Sequence, residues 1–155
     1  GQISPGQEIE YYSIWYLPVI HTMVSIPNFR KPEAIAKALN LELTDVEKAL
    51  KSLQVTGLVE KTNQGWTNTA RCIHLKSDSP LNIAFHNNTR QMAARDIQKN
   101  EPGQSIHYSA IHSLSEQDFD RLKEMMIELI EKSRAVVADS KEETAIVFGL
   151  DFFRC

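Results

Sequence analysis

The first apolar pattern in the chain runs from Ile9 to Met23, where apolar residues recur every three or four positions. This spacing places them on one face of a helix. Pro18 interrupts the pattern. Because proline lacks a backbone N–H and clashes with the preceding turn, we expect a kink or a break into two helices there. The aromatic residues around Pro18 are more typical of a core than of a ligand site.

Two shorter helices are predicted next. Pro32 suits the first turn of a helix, whose expected buried residues are Ile35, Ala38 and Leu39. Thr44 and Glu47 fit the capping box T-x-x-E, in which each side chain satisfies a free amide at a helix start. A second helix is therefore predicted from Thr44, and its expected buried residues are Val46, Ala49, Leu50 and Leu53.

A hairpin is predicted after the second helix. Gly57 stands where a left-handed residue commonly ends a helix, and residues 58–61 have the length and β-branched content of a short strand. Residues 62–65 form a turn sequence, after which residues 66–69 can return antiparallel. A helix-turn-helix followed by such a hairpin is a winged helix.

The C-terminal half predicts a linking helix and a β-α-β unit. Residues 81–99 form the linking helix, which ends at Glu101-Pro102-Gly103. Its expected buried contacts are Leu81, Phe85, Met92 and Ile97. Strands from Ile106 to Ser113 and from Thr144 to Phe153 flank a long amphipathic helix from Ser115 to Ala138. The expected buried face of that helix is Phe119, Leu122, Met125, Met126, Leu129, Ile130 and Val136, a stripe that forms either core or a dimer interface.

The predicted fold class is therefore α+β, with a winged helix-turn-helix followed by a linking helix and a small β-α-β unit. The expected boundaries are residues 1–76 for the winged-helix domain with its N-terminal aromatic helix, 77–103 for the linking helix and 104–155 for the β-α-β unit. With 155 residues and 42% apolar content, the chain can bury one ordinary core or two small ones.

Charge limits where a nucleic acid could bind. Charged residues make up 24% of the chain and the net charge is −3, which argues against disorder and against a polyanion-binding surface over the whole molecule. Residues 30–76 carry eight Lys/Arg and five Asp/Glu, a balance of +3, which leaves −6 for the remainder. A DNA site would therefore be local, within the predicted winged helix.

The outer face of the helix from Thr44 is polar, and such side chains can reach phosphates or base edges in a major groove. Together with the hairpin tip, the predicted DNA-binding residues are Thr44, Lys48, Lys51, Ser52, Gln54, Lys61, Asn63 and Gln64. The alternative is a solvated face, because Asp45 and Glu47 on the same helix would repel phosphates. Trp66 is expected to pack beneath the hairpin.

The sequence contains no motif for catalysis or metal binding: it has no nucleophile elbow, no glycine-rich phosphate loop and no H-E-x-x-H. His107 and His112 would lie on opposite faces of a strand, and His74 and His86 are isolated. We therefore expect a protein that is not an enzyme, with no metal site and no cofactor.

A cytoplasmic protein without a membrane partner is expected from three further features. The two cysteines form no C-x-x-C pair. No apolar run approaches the roughly 18 to 20 residues that cross a bilayer. The first ten residues, GQISPGQEIE, lack the basic start and apolar centre of a signal peptide.

Several segments resemble one protein family. These are YYSIWYLPVIHTMV, AIAKALNLELTDVEKALKSLQVTGLVEK, GWTNT, AFHNNTRQMAARDI, LSEQDFDRLKEMMIELIEK and IVFGLDFF. They are similar to a paralogous family of winged-helix transcriptional regulators of Fibrobacter and Bdellovibrio-like bacteria, and the first segment is the most specific. The resemblance extends over most of the chain and implies a bacterial regulator, without supplying an effector, an operator or functional residues.

Proteins of that family carry a further helical, DNA-binding region upstream, which implies that this chain corresponds to a C-terminal fragment. The expected roles are DNA contact or positioning of the upstream region by the winged helix, and dimerisation or sensing by the C-terminal unit. DNA and a second copy are thus the expected partners. The alternative is a protein-interaction module without DNA contact. The sequence departs from the family at Pro102-Gly103-Gln104 and Phe153-Arg154-Cys155, which weakens the resemblance for the C-terminal unit.

Overall fold

The computed structural model describes residues 2–155 and is mixed helix and strand, which confirms the α+β class. The chain divides into two compact units. The first unit comprises the described residues up to Ala94 together with Glu142–Val147, and the second comprises Arg95–Lys141 together with Phe148–Cys155. The elements in chain order are α1 (Pro5–Ser13), α2 (Tyr16–Met23), a 3-10 turn (Pro27–Phe29), α3 (Pro32–Leu39), α4 (Leu43–Val55), β1 (Val59–Thr62), β2 (Gly65–Asn68), α5 (Leu81–Lys99) and α6 (Glu116–Ala138).

The N-terminal helix is broken into two pieces, as predicted, but the break precedes Pro18. Ile14 takes an extended conformation with φ −94° and ψ 110°, which ends α1. Pro18 then lies in the first turn of α2, where helical N–H groups have no intrahelical partner. Pro18 therefore removes no intrahelical hydrogen bond from α2. The break between the two helices lies upstream of Pro18, at Ile14.

The core of the first unit is built from α1 to α4 and the hairpin. Tyr11 and Tyr12 are buried, with their rings edge to face at a centroid distance of 4.9 Å, so these two members of the aromatic cluster belong to the core as predicted. Trp15 and Tyr16 are half-buried. On α3, Ile35 and Ala36 are buried, whereas Ala38 is exposed and its predicted burial is wrong. Ala38 lies two residues beyond Ala36, roughly 200° further around a helix of 3.6 residues per turn, and therefore on the far side.

The second predicted helix, α4, starts before Thr44. Its N-cap is Glu42 in an extended conformation, and no side chain caps the first turn, so the predicted capping box is wrong. Thr44 lies inside the helical turn, where its hydroxyl cannot occupy the capping position. The four residues predicted to be buried on α4 are all buried: Val46, Ala49, Leu50 and Leu53.

Gly57 ends α4 as predicted. Its φ is +78°, its N–H donates to the carbonyl of Gln54 at 2.9 Å, and the N–H of Leu58 donates to the carbonyl of Leu53 at 3.0 Å. This pair of bonds is a Schellman motif, which satisfies carbonyls that the helix leaves open. The left-handed residue turns the chain from α4 directly into β1.

The hairpin pairs β1 with β2 in an antiparallel register from Val59↔Asn68 to Thr62↔Gly65, within one residue of the prediction. Gly65 has a φ of +115°, and a Cβ there would lie 2.5 Å from the carbonyl oxygen of Arg30. The N–H of Trp66 donates to that same oxygen at 2.8 Å. The return of the hairpin is therefore fixed against the loop that precedes α3.

The linking helix α5 has the predicted span. Leu81 and Phe85 are half-buried and pack against the core of the first unit, where Phe85 lies edge to face with Tyr12 at 5.6 Å. The side-chain amide of Asn88 donates to the carbonyl of Tyr12 at 3.1 Å. The predicted burial of Ile97 is wrong, because this side chain is 55% exposed. Its position near the end of α5 leaves it in the second unit, where the described residues form no buried core.

The second unit differs most from the prediction. α6 is capped as expected by Ser115, whose Oγ accepts from the N–H of Asp118 at 3.0 Å. None of its residues is buried, and the predicted buried stripe is only half-covered at Phe119, Leu122 and Met126. The other four residues of that stripe are exposed: Met125, Leu129, Ile130 and Val136.

The two strands predicted around α6 are not formed within the described chain. Residues 106–113 and 144–153 have no strand assignment and belong to no sheet. Their β-branched and aromatic residues give them strand propensity, but a strand also needs a hydrogen-bonded neighbour. The prediction of a β-α-β unit is therefore wrong, since neither segment has a hydrogen-bonded strand beside it.

No helix among residues 2–155 combines the length and the apolar content that a bilayer span requires.

Candidate functional site

The outer face of α4 is open to solvent. Its predicted contact residues Thr44, Lys48, Lys51 and Gln54 are exposed, and Ser52 is half-buried. They are held there because the opposite face of the helix is fully occupied by the core. The structure therefore places the α4 part of the predicted site where a macromolecular partner can reach it.

The hairpin supplies the rest of the predicted site. Lys61, Asn63 and Gln64 are exposed, with Asn63 and Gln64 forming the two-residue tip. Thr62 stabilises the turn, since its hydroxyl donates to the carbonyl of Gly65 at 2.9 Å and accepts from the N–H of Gln64 at 3.2 Å. The tip is thus a defined surface feature.

A groove of about 170 Å³ joins the two parts of the site. Lys51 of α4 and Lys61 of β1 both line it, and Trp66 and Pro32 complete its wall. The Lys61 Nζ lies 5.9 Å from the centroid of the Trp66 ring, which is itself buried beneath the hairpin as predicted. We call this set the helix–hairpin groove. It brings two of the predicted cations together from separate elements.

The same groove contains the carboxylate of the predicted capping box. Glu47 lines the helix–hairpin groove beside Lys51. Because α4 begins at Leu43, Glu47 is free of any capping role and contributes negative charge at the surface. The groove is therefore of mixed charge, with Lys51 and Lys61 against Glu47.

Arg30 is not among the predicted site residues, but its side chain contacts the tip of the hairpin. Its Nη1 donates to the Gln64 Oε1 at 2.8 Å, so the Gln64 side chain is already engaged. Within the described residues, the buried Nε of Arg30 has no hydrogen-bond partner. Arg30 lies in a loop between helices, where neither apolar periodicity nor a turn motif marks it, so only the fold reveals the contact.

A polar pair of one buried and one half-buried side chain, Tyr11 and His21, lies away from the groove. The Tyr11 hydroxyl lies 2.8 Å from Nδ1 of His21, and donates to it when the neutral ring carries its proton on Nε2. Burial raises the pKa of Tyr11 above its usual 10 and lowers the pKa of His21 below its usual 6.5. Both groups are uncharged at neutral pH, so the pair ties α1 to α2 through a neutral hydrogen bond.

The histidines of the second unit do not converge on a metal site. His107 Nε2 lies 2.8 Å from Asp96 Oδ2, and this hydrogen bond lowers the pKa of Asp96 below its usual 3.8. His112 lines a cavity of about 400 Å³ beside the start of α6. Across residues 2–155, no group of three or more His, Cys, Asp or Glu side chains could hold a metal ion.

Comparison with known proteins identifies a family whose function is unknown. Neither a curated protein nor a solved structure matches the chain. A family model described as a domain of unknown function, DUF4423, matches residues 1–155, which is the whole chain. The protein therefore belongs to the DUF4423 family.

Proposed function

We propose that the chain is part of a bacterial transcriptional regulator whose first unit binds DNA as a winged helix. The observation that carries this proposal is the convergence of Lys51 and Lys61 on the helix–hairpin groove. Lys48 lies one turn before Lys51 on the same exposed face. Three cations from a helix and a neighbouring hairpin can hold a phosphate backbone between the two elements.

In this arrangement α4 is the recognition helix. Recognition helices of helix-turn-helix proteins lie in the major groove, where their exposed side chains meet base edges and phosphates. Thr44, Ser52 and Gln54 offer hydroxyl and amide groups for such contacts. Asn63 at the hairpin tip would reach the backbone or the adjacent minor groove. The role is recognition and not catalysis, and it implies a cytoplasmic protein.

A second candidate is a protein-interaction module that uses the same surface. It is favoured by Glu47, which repels phosphates from the groove, and by Val55, which is 78% exposed on α4. An exposed apolar residue beside paired charges suits a protein partner better than a nucleic acid. In that case the first unit would position a neighbouring DNA-binding region without touching DNA.

Salt-dependent binding to duplex DNA tests the proposal. Fluorescence anisotropy of a labelled mixed-sequence duplex is measured with the chain from about 50 to 200 mM salt. If α4 and the hairpin contact phosphates, log affinity falls linearly with log salt concentration. Lys48→Ala combined with Lys51→Ala should then reduce the slope by about 0.9 for each phosphate that the variant no longer neutralises.

The matched control removes two lysines from the second unit. Lys99→Ala combined with Lys141→Ala changes the net charge equally, and both side chains are exposed. This variant should keep the slope of the unmodified chain. An equal reduction of the slope in both variants would mean nonspecific attraction to overall charge. No DNA binding by the unmodified chain at the lowest salt would overturn the proposal in favour of the interaction module.

The second unit serves dimerisation or the sensing of a small molecule in this proposal. The cavity beside the start of α6 has a volume within the range of small-ligand pockets, about 300 to 1,000 Å³. Its lining side chains are nearly all exposed, including His112, Asp118 and Arg121. A ligand site usually adds buried polar groups that fix orientation. Dimerisation therefore has the stronger support of the two roles.

A further inference from the structure

The side chain of Gln64 is held in one orientation at the tip of the hairpin. Its Oε1 accepts from Nη1 of Arg30 at 2.8 Å, while its backbone N–H donates to Oγ1 of Thr62 at 3.2 Å. A guanidinium carries only donors, so the oxygen of the Gln64 amide, and not the nitrogen, must face Arg30. The orientation of this amide is therefore fixed by the chemistry of its partner.

Arg30 is itself held against the hairpin. Its carbonyl accepts from the N–H of Trp66 at 2.8 Å, and its Cβ lies 3.0 Å from the place that a Cβ at Gly65 would take. Its Nε is buried. The guanidinium is thus fixed by its backbone and its stem, and its hydrogen bond to Gln64 is strengthened by the positive charge.

The amide of Gln64 presents donors to an approaching partner. A glutamine amide is planar, with an acceptor oxygen on one branch and an NH2 group with two donors on the other. Gln64 is exposed, and among residues 2–155 its Nε2 donates to no other group. The oxygen still has a second lone pair, but the charge of Arg30 beside it repels a second positively polarised hydrogen. The tip therefore offers N–H donors in preference to an acceptor.

In the proposed complex with DNA, the tip of the hairpin faces the minor groove. Lys51 of α4 and Lys61 of β1 line the helix–hairpin groove, and the proposed function places a phosphate backbone between these two elements. Each backbone of a duplex separates the major groove from the minor groove. With α4 in the major groove, the hairpin lies on the minor-groove side of that backbone. The lysines contact the phosphates, and the neutral tip residues Asn63 and Gln64 face base edges.

We propose that Gln64, oriented by Arg30, selects DNA whose minor groove lacks the guanine amino group, which is A·T-rich duplex. This deepens the proposed function and rests on DNA binding by the first unit. In the minor groove, A·T pairs show only acceptors, whereas a G·C pair adds the N2 amino donor of guanine. The Gln64 NH2 donates to the acceptors of an A·T pair but meets the guanine amino group donor to donor.

The two residues have different roles in this selection. Gln64 contacts the base edge, and Arg30 is a positioning residue that acts through Gln64. Without the guanidinium, the amide can turn over and accept from the guanine amino group with its oxygen. The hairpin would remain in place, because Trp66 is bonded to the backbone carbonyl of residue 30 and not to its side chain.

Two duplexes that differ only in the minor groove test this inference. One alternates deoxyguanosine with deoxycytidine and the other alternates deoxyinosine with deoxycytidine, each over about 20 base pairs, or two helical turns. Inosine lacks only the N2 amino group of guanine, so the phosphates and the major-groove edges are the same. Because each duplex is a uniform repeat, no operator sequence needs to be known. Fluorescence anisotropy at about 50 mM salt gives the two dissociation constants, and their ratio is the measurement.

The unmodified chain should bind the inosine duplex more tightly than the guanosine duplex. Gln64→Glu keeps an oxygen for Arg30 and removes the NH2 group. Its added negative charge weakens binding to both duplexes alike, so only the loss of the donor changes the ratio. The preference for inosine should be about fivefold larger in the unmodified chain than in Gln64→Glu, since a single hydrogen bond discriminates less than a bidentate pair. Any preference that Gln64→Glu retains measures the shape of the groove.

Arg30→Met tests the positioning role. Methionine keeps an aliphatic stem and the backbone bond to Trp66, but it cannot orient the Gln64 amide. The preference for inosine should fall as it does in Gln64→Glu, and circular dichroism should show an unchanged fold. A loss of affinity that is equal for both duplexes would leave the ratio unchanged, and this result would overturn the role of Arg30.

Gln98→Glu is the matched control, because it makes the same chemical change at an exposed position of α5 in the second unit. It should keep the ratio of the unmodified chain, and an equal change of the ratio in both glutamate variants would overturn the inference. Equal binding of the two duplexes by the unmodified chain, or an unchanged ratio in Gln64→Glu, would also overturn it and leave the proposed function standing. Binding to neither duplex would overturn the proposed function, and this inference with it.

Discussion

The two units of this chain carry similar amphipathic patterns and reach opposite degrees of burial. α4 and α6 each present an apolar stripe at helical spacing, but α4 buries four residues whereas α6 buries none. The difference lies in what each helix can pack against. α4 packs against α2, α3 and β1, whereas α6 has no comparably packed helix or strand among the described residues, and its Phe119 stacks on Phe152 of the C-terminal segment. An amphipathic pattern therefore identifies the face that will be buried without identifying the molecule that buries it.

The largest expected difference between the units comes from truncating one leucine in each. Leu50 is completely buried on α4, so Leu50→Ala should lower the free energy of unfolding of the first unit by about 3 kcal/mol. Leu129 is 45% exposed on α6, so Leu129→Ala should change that transition by less than about 0.5 kcal/mol. Urea denaturation followed by tryptophan fluorescence reports on the first unit, because Trp15 and Trp66 both lie there.

The leucine comparison also separates folding from assembly. Leu129→Ala should weaken dimerisation while leaving the denaturation midpoint of the first unit unchanged at fixed chain concentration. If Leu129→Ala destabilises the first unit as much as Leu50→Ala does, α6 is part of the same cooperative core. The contrast between a first unit with a buried core and a second unit without one would then be wrong.

A glycine in each unit gives the next largest contrast. Gly65→Ala should destabilise the first unit by about 2 kcal/mol, because the left-handed backbone is strained by a side chain and the new Cβ would lie 2.5 Å from the carbonyl oxygen of Arg30. Gly103 is also left-handed, with φ +77°, but has nothing within 4 Å. Gly103→Ala should therefore cost only about 1 kcal/mol, confined to the second unit. The measurement is the shift in denaturation midpoint.

The outcome distinguishes backbone strain from crowding. If both alanine variants destabilise their units equally, strain alone explains the effect and the contact between hairpin and loop is unimportant. A larger effect at Gly65 means that the hairpin is held in place by the loop at Arg30. That contact also orients Gln64 at the tip of the hairpin, through the hydrogen bond from Arg30.

Local chemistry was enough to predict most elements of the first unit. Gly57 and Gly65 identified the end of α4 and the hairpin turn, because few other residues accept a positive φ there. The exact start of α4 was missed, since Thr44 and Glu47 satisfy the capping pattern at a position where the helix has already begun. Arg30 was missed because its contact with Gln64 joins residues 34 positions apart.

The second unit could be predicted only as far as its local conformation. Ser115 marked the start of α6 correctly, whereas residues 106–113 form no strand despite their propensity. Strand pairing and helix burial depend on partners distant in sequence or in another molecule, and neither is encoded in local periodicity. The same limit applies to the candidate site, where the exposure of Lys51 and Lys61 was predicted but their shared groove was not.

The smallest expected effect is a pH dependence that belongs to the first unit alone. Burial lowers the pKa of His21 below 6.5 in the folded protein, so the unfolded chain takes up a proton at this residue more readily. The free energy of unfolding should therefore decrease as pH falls below about 6.5 and stop depending on His21 below its lowered pKa. Above about pH 7.5 the residue is neutral in both states and contributes no dependence.

His21→Asn isolates this contribution, because the asparagine oxygen can still accept from the Tyr11 hydroxyl while the side chain does not titrate. The difference in unfolding free energy between the two proteins should be constant above about pH 7.5 and should change as pH falls through 6.5. Glu116→Gln in the second unit is the control. The hydrogen bond from Arg154 lowers the pKa of Glu116 below 4.5. This substitution should therefore leave the dependence of the unfolding free energy on pH unaltered between about pH 5 and 7. If His21→Asn also leaves the dependence of the unfolding free energy on pH unaltered, the half-buried histidine keeps the same pKa on unfolding. The buried core of the first unit then does not extend to the contact between α1 and α2.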